Sequence, residues 1–475
     1  MEERFINRTR IRVICILALF NFLFLGTEYL FDNMMARVTG SENVVLAQSY
    51  VLGASVIGFL LFPVLNRRIK IRANSILMFS ASVISVICLF LIQQHMSYGS
   101  ILISGCIVFI LLGVGGSGIH YMAVCVLGKT SYLARTVGVA YAFGLLIQFL
   151  NNNIINNDTI ESVVLSVFLM IWVILIVRLV GDRTIGEGKQ NEIKEKKDMH
   201  VLKHPLLAGV LLLIIVLLMT CIFATLDNVV TLFHAEGSVD IGQWPRLLLA
   251  VSGLLAGVLF DIRKHRYMHI IMYCITLLSV ICVLVIENGG PFLVGLIVFY
   301  LSAGFFVVFF TTGFMDLSYR MNVPQLWAGI GRADNNLCAV LIGPISLAVV
   351  KTGNSLLISI IALALFVLIS IAMFSYSILY KEHDDGTKEK EGQSGEGEEA
   401  DLRFERFAEC FALTPRERDV LKILLVSDDN VQDIAEQLFM SRAALYRHIT
   451  SLNEKTETKS RIGLIQFYYG WKEKE

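Results

Sequence analysis

Twelve stretches of about 20 apolar residues occupy most of the chain. They lie near 11–31, 44–65, 74–93, 100–126, 132–151, 160–180, 204–226, 244–261, 267–286, 291–314, 327–350 and 355–380. Each has the length a helix needs to cross the hydrocarbon core of a bilayer. In that solvent every backbone N–H and C=O must be bonded within the protein, so repeated apolar runs of this length specify helices. Residues 1–380 therefore read as a polytopic α-helical bundle. The composition agrees, with 55% hydrophobic residues, 17% charged residues and a mean hydropathy of +0.67. The first run begins near Ile11 and is followed by no small-residue cleavage site, so it reads as a first span and not a removed signal. The nine cysteines are scattered, mostly inside apolar runs, without a CxxC or Cys/His cluster. They read as reduced, buried thiols, and neither a metal site nor a cofactor is expected.

The connecting segments orient the bundle. Arg4, Arg8, Arg10 and Arg12 precede the first span, and Arg67, Arg68, Lys70 and Arg72 follow the second. Lys129 follows the fourth, basic residues run from Arg178 to Lys203 after the sixth, Arg263, Lys264 and Arg266 follow the eighth, and Arg320 follows the tenth. The alternate segments hold little beyond Arg37, Arg246 and Lys351. The positive-inside rule then places both termini in the cytoplasm, with the bundle in the cytoplasmic (inner) membrane.

Two halves are visible. Phe31-Asp32-Asn33-Met34-Met35 closes the first span and Leu226-Asp227-Asn228-Val229-Val230 the seventh, 195 positions later (227 less 32). The basic loops after spans two and eight fall at the same offset, and Gly113 and Gly304 occupy comparable places in spans four and ten. Residues 1–180 and 204–380 thus read as two six-helix halves joined by a polar loop, 181–203. The second basic loop, Gly257-Val258-Leu259-Phe260-Asp261-Ile262-Arg263-Lys264-His265-Arg266, resembles the signature loop of the major facilitator superfamily. Its first-half counterpart, ending Leu65-Asn66-Arg67-Arg68-Ile69-Lys70, has asparagine in place of the aspartate and lacks a glycine.

After Tyr380 the apolar pattern stops. Residues 381–403 are rich in Glu, Lys, Gly, Asp and Ser, and read as a flexible linker with a coil reach of roughly 25 Å. Residues 404–475 form a separate soluble domain. Thr414-Pro415-x-Glu417 is a helix start, with a capping threonine, proline at the first position and a glutamate three residues past the cap. Ile434, Ala435 and Leu438 mark a second short helix, Phe439-Met440 a turn, and Ser441 the cap of a third. On that third helix Leu445, Ile449 and Leu452 share one face and Arg442, Tyr446 and Thr450 another, with Arg447 beside them. The arrangement is a helix-turn-helix with a basic outer face.

Leu413-Thr414-Pro415-Arg416-Glu417-Arg418, Val420-Leu421, Ile434-Ala435-Glu436-x-Leu438, Ser441, His448-Ile449 and Lys455 together resemble the DNA-binding domain of the LuxR-type transcriptional regulators. The resemblance implies four helices, the third reading double-stranded promoter DNA and the fourth, here about Lys459 to Tyr469, often serving dimerisation. It also implies DNA contacts from Arg442, Tyr446, Arg447, His448, Thr450 and Lys455, and a homodimer on DNA. Where most of the family has Thr-Val-Lys in the recognition helix, this chain has Ala444-Leu445-Tyr446, so tyrosine replaces a phosphate-contacting lysine.

Charged residues within spans are costly and point to function or bracing. Glu28, Asp32, Asp227, Arg332, Asp334, Asn335 and Asn336 are the candidate ligand-binding residues, with Arg332 suited to a carboxylate or phenolate. Bracing is the competing reading, with Arg332 paired to Asp334 or to an acid of a neighbouring helix and the asparagines tying helices together. No phosphate-binding loop, kinase-like stretch, receiver-like segment or zinc motif is present, so no enzyme is expected. The chain reads as a membrane-embedded regulator that senses a small molecule and controls DNA binding. The alternative is an active facilitator-type transporter carrying a fused regulatory domain.

Overall fold

In a computed structural model the chain is described from Arg8 to Trp471, apart from residues 69–70, 128–131, 156, 182–204, 236–243, 263–264, 266, 288, 392–396, 427–431, 433, 436–437 and 439. It divides into two compact units, Met1–Tyr380 and Lys381–Glu475. The described residues form helices and contain no strand. The basic residues Lys70, Lys129, Arg263, Lys264 and Arg266 and the loop 181–203 beyond Gly181 lie outside the described residues, as does the side chain of Asp227.

The first unit is built from α1 (Arg8–Ala36), α2 (Ser41–Arg68), α3 (Ile71–Gln93), α4 (Tyr98–Leu127), α5 (Leu133–Ile154) and α6 (Asp158–Gly181). The second half adds α7 (Pro205–Ala235), α8 (Trp244–Phe260), α9 (Met268–Glu287), α10 (Phe292–Ser318), the single-turn α11 (Pro324–Trp327), α12 (Ile330–Lys351) and α13 (Ser355–Glu391). Twelve of these, α1 to α10 with α12 and α13, occupy the twelve expected spans. Ten of the described helices are long and apolar enough to cross a membrane on length and composition alone. The two that miss have identifiable causes. The apolar part of α8 is short, running from Arg246 to Phe260, and α12 carries Arg332, Asp334, Asn335 and Asn336.

Within each half the corresponding helices pair alike, α2 with α4 and α8 with α10. The repeat-related glycines make both contacts. A Cβ on Gly113 would strike the carbonyl of Ser55 on α2, and one on Gly304 would strike Ser252 on α8. The halves meet along α5 with α8 and α2 with α12. At the first of these seams Gly138 lies against the backbone of Gly253 and Gly257. Lipid supplies no hydrophobic drive between helices, so such close backbone approach is what holds them. The interior is dense in aromatics, with Phe20, Phe24, Phe31, Phe109, Phe309 and Phe310 almost fully buried, while Ile76, Ile103, Leu356 and Phe374 point outward.

One end of the α5–α8 seam carries a clasp. Asp261, directly after α8, accepts hydrogen bonds from the Ala134 and Arg135 amides at the start of α5, both at 2.9 Å. Four amides at a helix start lack partners, and a carboxylate there also meets the positive end of the helix dipole. His265 Nε2 sits 2.9 Å from Asp261 and Arg135 Nε 3.6 Å. Burial pulls the His265 pKa down, but the hydrogen bond with Asp261 and the charges of Asp316 and Asp261 leave it above the ordinary histidine value. In the first half Asn66 replaces this aspartate, and among the described residues it holds no helix start. At the opposite end, Arg37 pairs with Asp158 at 2.7 Å, giving that basic residue a local partner.

The second unit contains α14 (Gly397–Cys410), α15 (Pro415–Val426), α16 (Arg442–Lys455) and α17 (Arg461–Gly470). Between α15 and α16 the described positions Gln432, Ile434 and Ala435 are helical. The expected coil over 381–403 is instead helical up to Glu391 and again from Gly397. Extending a helix that already exists avoids the costly nucleation step, and Lys and Glu are good helix formers.

Candidate functional site: the nucleic-acid interface and the buried polar constellation

The capping box at the start of α15 forms as its sequence dictates. Thr414 N donates to Glu417 Oε2 at 2.7 Å, and Glu417 N donates to Thr414 Oγ1 at 3.4 Å. Glu417, only 4% exposed, also joins α15 to α16. It accepts from Ser451 Oγ at 2.6 Å and from Lys455 Nζ at 2.7 Å. Burial alone would push its carboxyl pKa up. The hydrogen bonds from Lys455, Ser451 and Thr414 outweigh that and hold it at about 2.

Ser441 caps α16, its Oγ accepting from Ala444 N. Leu445, Ile449 and Leu452 are buried, which fixes the rotation of the helix. The other side is open: Arg442, Tyr446, Arg447 and Thr450 are exposed, Tyr446 by 56%. Among the described residues neither Arg442 nor Arg447 is paired with an acid. His448 is half-buried. Lys455 is placed differently from the other five. Its ammonium is held by Glu417 and by the Ala412 carbonyl at 2.8 Å, so it fixes α16 against α15.

Helix α14, which precedes every motif read from the sequence, belongs to this unit. Phe404 and Phe407 are buried, and Phe407 packs on Tyr468 (5.0 Å) and Trp471 (5.4 Å) at the end of α17. Arg403 Nη2 donates to the carbonyls of Tyr468, Tyr469 and Trp471, each at 2.9 Å, closing the C-terminus of α17. The helical spacing of Phe404, Phe407 and Phe411 was the available signal.

In the first unit Glu28 of α1 accepts from Gln48 of α2 at 2.9 Å. Two arginines from the other half act on its charge, first Arg246 of α8 and then Arg332 of α12. Arg246 counted in the sequence as a loop charge, but α8 buries it to 7% exposure. Arg332, 8% exposed, does not pair with Asp334. Two positions along a helix is a rotation of about 200°, so the two leave opposite flanks of α12. Arg332 lies over the rings of Phe24 (5.1 Å) and Phe310 (5.8 Å). Asp334 acts instead on Cys221 and Cys338, whose sulfurs are 3.8 Å apart between α7 and α12. Asn336 donates to Ser55 of α2 at 2.8 Å, and Asn335 accepts from Thr220 of α7 at 3.5 Å and donates to Asn336 at 3.2 Å. Asp32 is buried one turn beyond Glu28. Among the described residues no three side chains are disposed to hold a metal. A shallow apolar recess between α1, α4 and α6, lined by Val13, Ile16, Leu17, Ile119, Met122, Ala123 and Leu179, shares no residue with this constellation.

Comparison with known proteins matches these two units separately. Residues 412–468 match the family described as bacterial regulatory proteins, luxR family. The chain carries a LuxR-type helix-turn-helix domain, which implies DNA binding. The structure resembles the major facilitator superfamily proton:xylose symporter XylE bound to 6-bromo-6-deoxy-D-glucose, with TM-score 0.53 and 14% identity over 78% of this chain and 96% of that one. It also resembles the human organic anion transporter MFSD10 (TETRAN), with TM-score 0.50 and 13% identity over 78% of this chain and 99% of that one. At such identities the likeness establishes the fold alone. No curated protein sequence matches the chain. The protein is thus a multi-pass, facilitator-like membrane domain fused to a LuxR-type DNA-binding domain.

Proposed function

We propose that the protein is a membrane-embedded one-component transcriptional regulator. Its bundle binds a small molecule, and the bound state alters DNA binding by the C-terminal domain. The carrying observation is that Arg442, Tyr446, Arg447 and Thr450 stand exposed on a recognition helix in the same chain as a bundle with charged groups in its interior. The basic loops support a cytoplasmic-membrane location with both termini inside. The LuxR-type domain supports paired half-sites and a homodimer. Control requires that the ligand prefer one bundle state, and a tenfold preference biases the equilibrium by about 1.4 kcal/mol.

The test is a genome-wide map of DNA bound by the full chain in its own cells, compared with the Arg442→Ala, Arg447→Ala double variant. Sharp promoter peaks that vanish in the variant are expected. An empty map across several growth conditions overturns the regulator reading. A second reading, a facilitator that also moves its ligand, is favoured by Glu28, a carboxylate inside the bundle. Flux in vesicles that Glu28→Gln abolishes would establish it.

A further inference from the structure

Arg332 is 8% exposed, inside a helix that lies in the bundle. A guanidinium carries five N–H donors and cannot shed its charge. Among the described residues these donors reach no hydrogen-bond acceptor and no acid within ion-pair distance; the contacts of the group are the faces of Phe24 and Phe310. Phe24 comes from α1 and Phe310 from α10, so the guanidinium stands where the two halves face each other. Ring faces attract the charge but leave the in-plane N–H groups without acceptors. An arginine left in that condition in a low-dielectric interior is costly. Its nitrogens are also not sealed: none of them is among the fully buried side-chain atoms that lack a hydrogen bond.

The local charges point the same way. Among the described residues the charged groups that act on Arg332 are Tyr141 and then the carboxylate Glu28, and Glu28 acts more strongly with Arg246. Glu28 is also occupied by Gln48. Among the described residues one carboxylate therefore serves two guanidiniums, which leaves room for one further negative charge. Around it are rings packed edge to face: Phe24 against Phe109 at 5.0 Å, and Phe310 against Phe306 at 5.2 Å.

We propose that Arg332 anchors a small organic monoanion, a carboxylate, whose two oxygens take the open edge of the guanidinium. A carboxylate matches the guanidinium fork with two parallel hydrogen bonds. A dianion would need a second unshared cation. The assignment rests on the reading that the bundle binds a small molecule, and names its chemical class.

The test measures benzoate binding to the full chain in lipid nanodiscs by ligand-observed NMR, with benzamide as the neutral control of the same shape. For a fragment of this size a Kd on the order of 1 mM is expected, so titration to about 20 mM suffices. Benzoate should bind and benzamide should bind at least about tenfold more weakly. Arg332→Met should abolish the preference, and Arg332→Lys, which keeps the charge and loses the fork, should retain part of it. Unchanged melting and gel filtration of the variants exclude misfolding as the cause. Equal binding of the two compounds, benzoate binding that survives Arg332→Met, or no benzoate binding overturns the proposal and leaves water as the partner of Arg332. The measurement does not involve DNA. Benzoate binding through Arg332 alongside a map empty of promoters would uphold this assignment and sink the regulator.

Discussion

Glu417 is the residue whose removal the structure prices best. Its side chain is about 5% exposed and takes hydrogen bonds from Thr414, Ser451 and Lys455. Its carboxyl falls to about 2 from an ordinary 4.5. At 1.36 kcal/mol per pKa unit, that difference is roughly 3 kcal/mol of stability. The sign follows from the direction. A lowered folded-state pKa stabilises the domain fully above the unfolded value, 4.5, and the contribution fades as pH falls towards 2. Glu417→Gln keeps the shape and removes the charge. Urea unfolding of a fragment starting at Gly397 should show the variant roughly 3 kcal/mol less stable than the parent at pH 7. The gap should narrow steadily from pH 5 to pH 2.5. Taking the difference between the two proteins cancels the other carboxylates. A gap under about 1 kcal/mol at pH 7, or one that does not change with pH, would refute the account of Glu417 as a charged hub.

Other outcomes follow from the same geometry. Lys455→Met should lower the stability of the C-terminal domain by about 2–4 kcal/mol, since it strands a buried carboxylate, while leaving the salt dependence of DNA binding unchanged. Arg442→Ala and Arg447→Ala should do the reverse, each reducing the slope of log K against log salt by about 1 with little change in melting. Gly138→Leu should block the α5–α8 seam and reduce the folded yield and melting temperature of the bundle, because even a Cβ there strikes Gly253. Asp261→Ala should remove the cap of α5 at a cost of about 1–2 kcal/mol, visible as faster hydrogen exchange at Ala134 and Arg135.

The sequence carried local facts well. The capping box, the buried triplet Leu445, Ile449 and Leu452, and the exposed row Arg442, Tyr446 and Thr450 depend only on helix periodicity and on partners a few positions away. The helices over the twelve apolar stretches were legible for the same reason. What escaped depended on distant partners. Lys455 looked like a surface cation because its acid lies 38 positions earlier. Arg246 looked like a loop charge because its burial depends on how α8 meets the other half. The separation of Arg332 from Asp334 was within reach of simple helix geometry, yet the partners of each, Phe24 and Cys221, come from other helices. The helices that replace the expected coil over 381–403 grow at either end of a stretch whose composition alone gives no apolar period to read.

Among the described residues the clasp at Asp261 has no twin. A two-fold repeat could fasten that end of the bundle at two seams, and Asn66 leaves one of them without a carboxylate. Each such fastening contributes on the order of 1–2 kcal/mol, which is comparable to the bias a modestly selective ligand exerts. For the two forms that the proposed regulator requires, a bundle fastened once sits nearer the tipping point than one fastened twice. In the regulator proposed here a weak ligand could therefore change which form prevails, and the substitution of one aspartate by asparagine would act as a sensitivity setting.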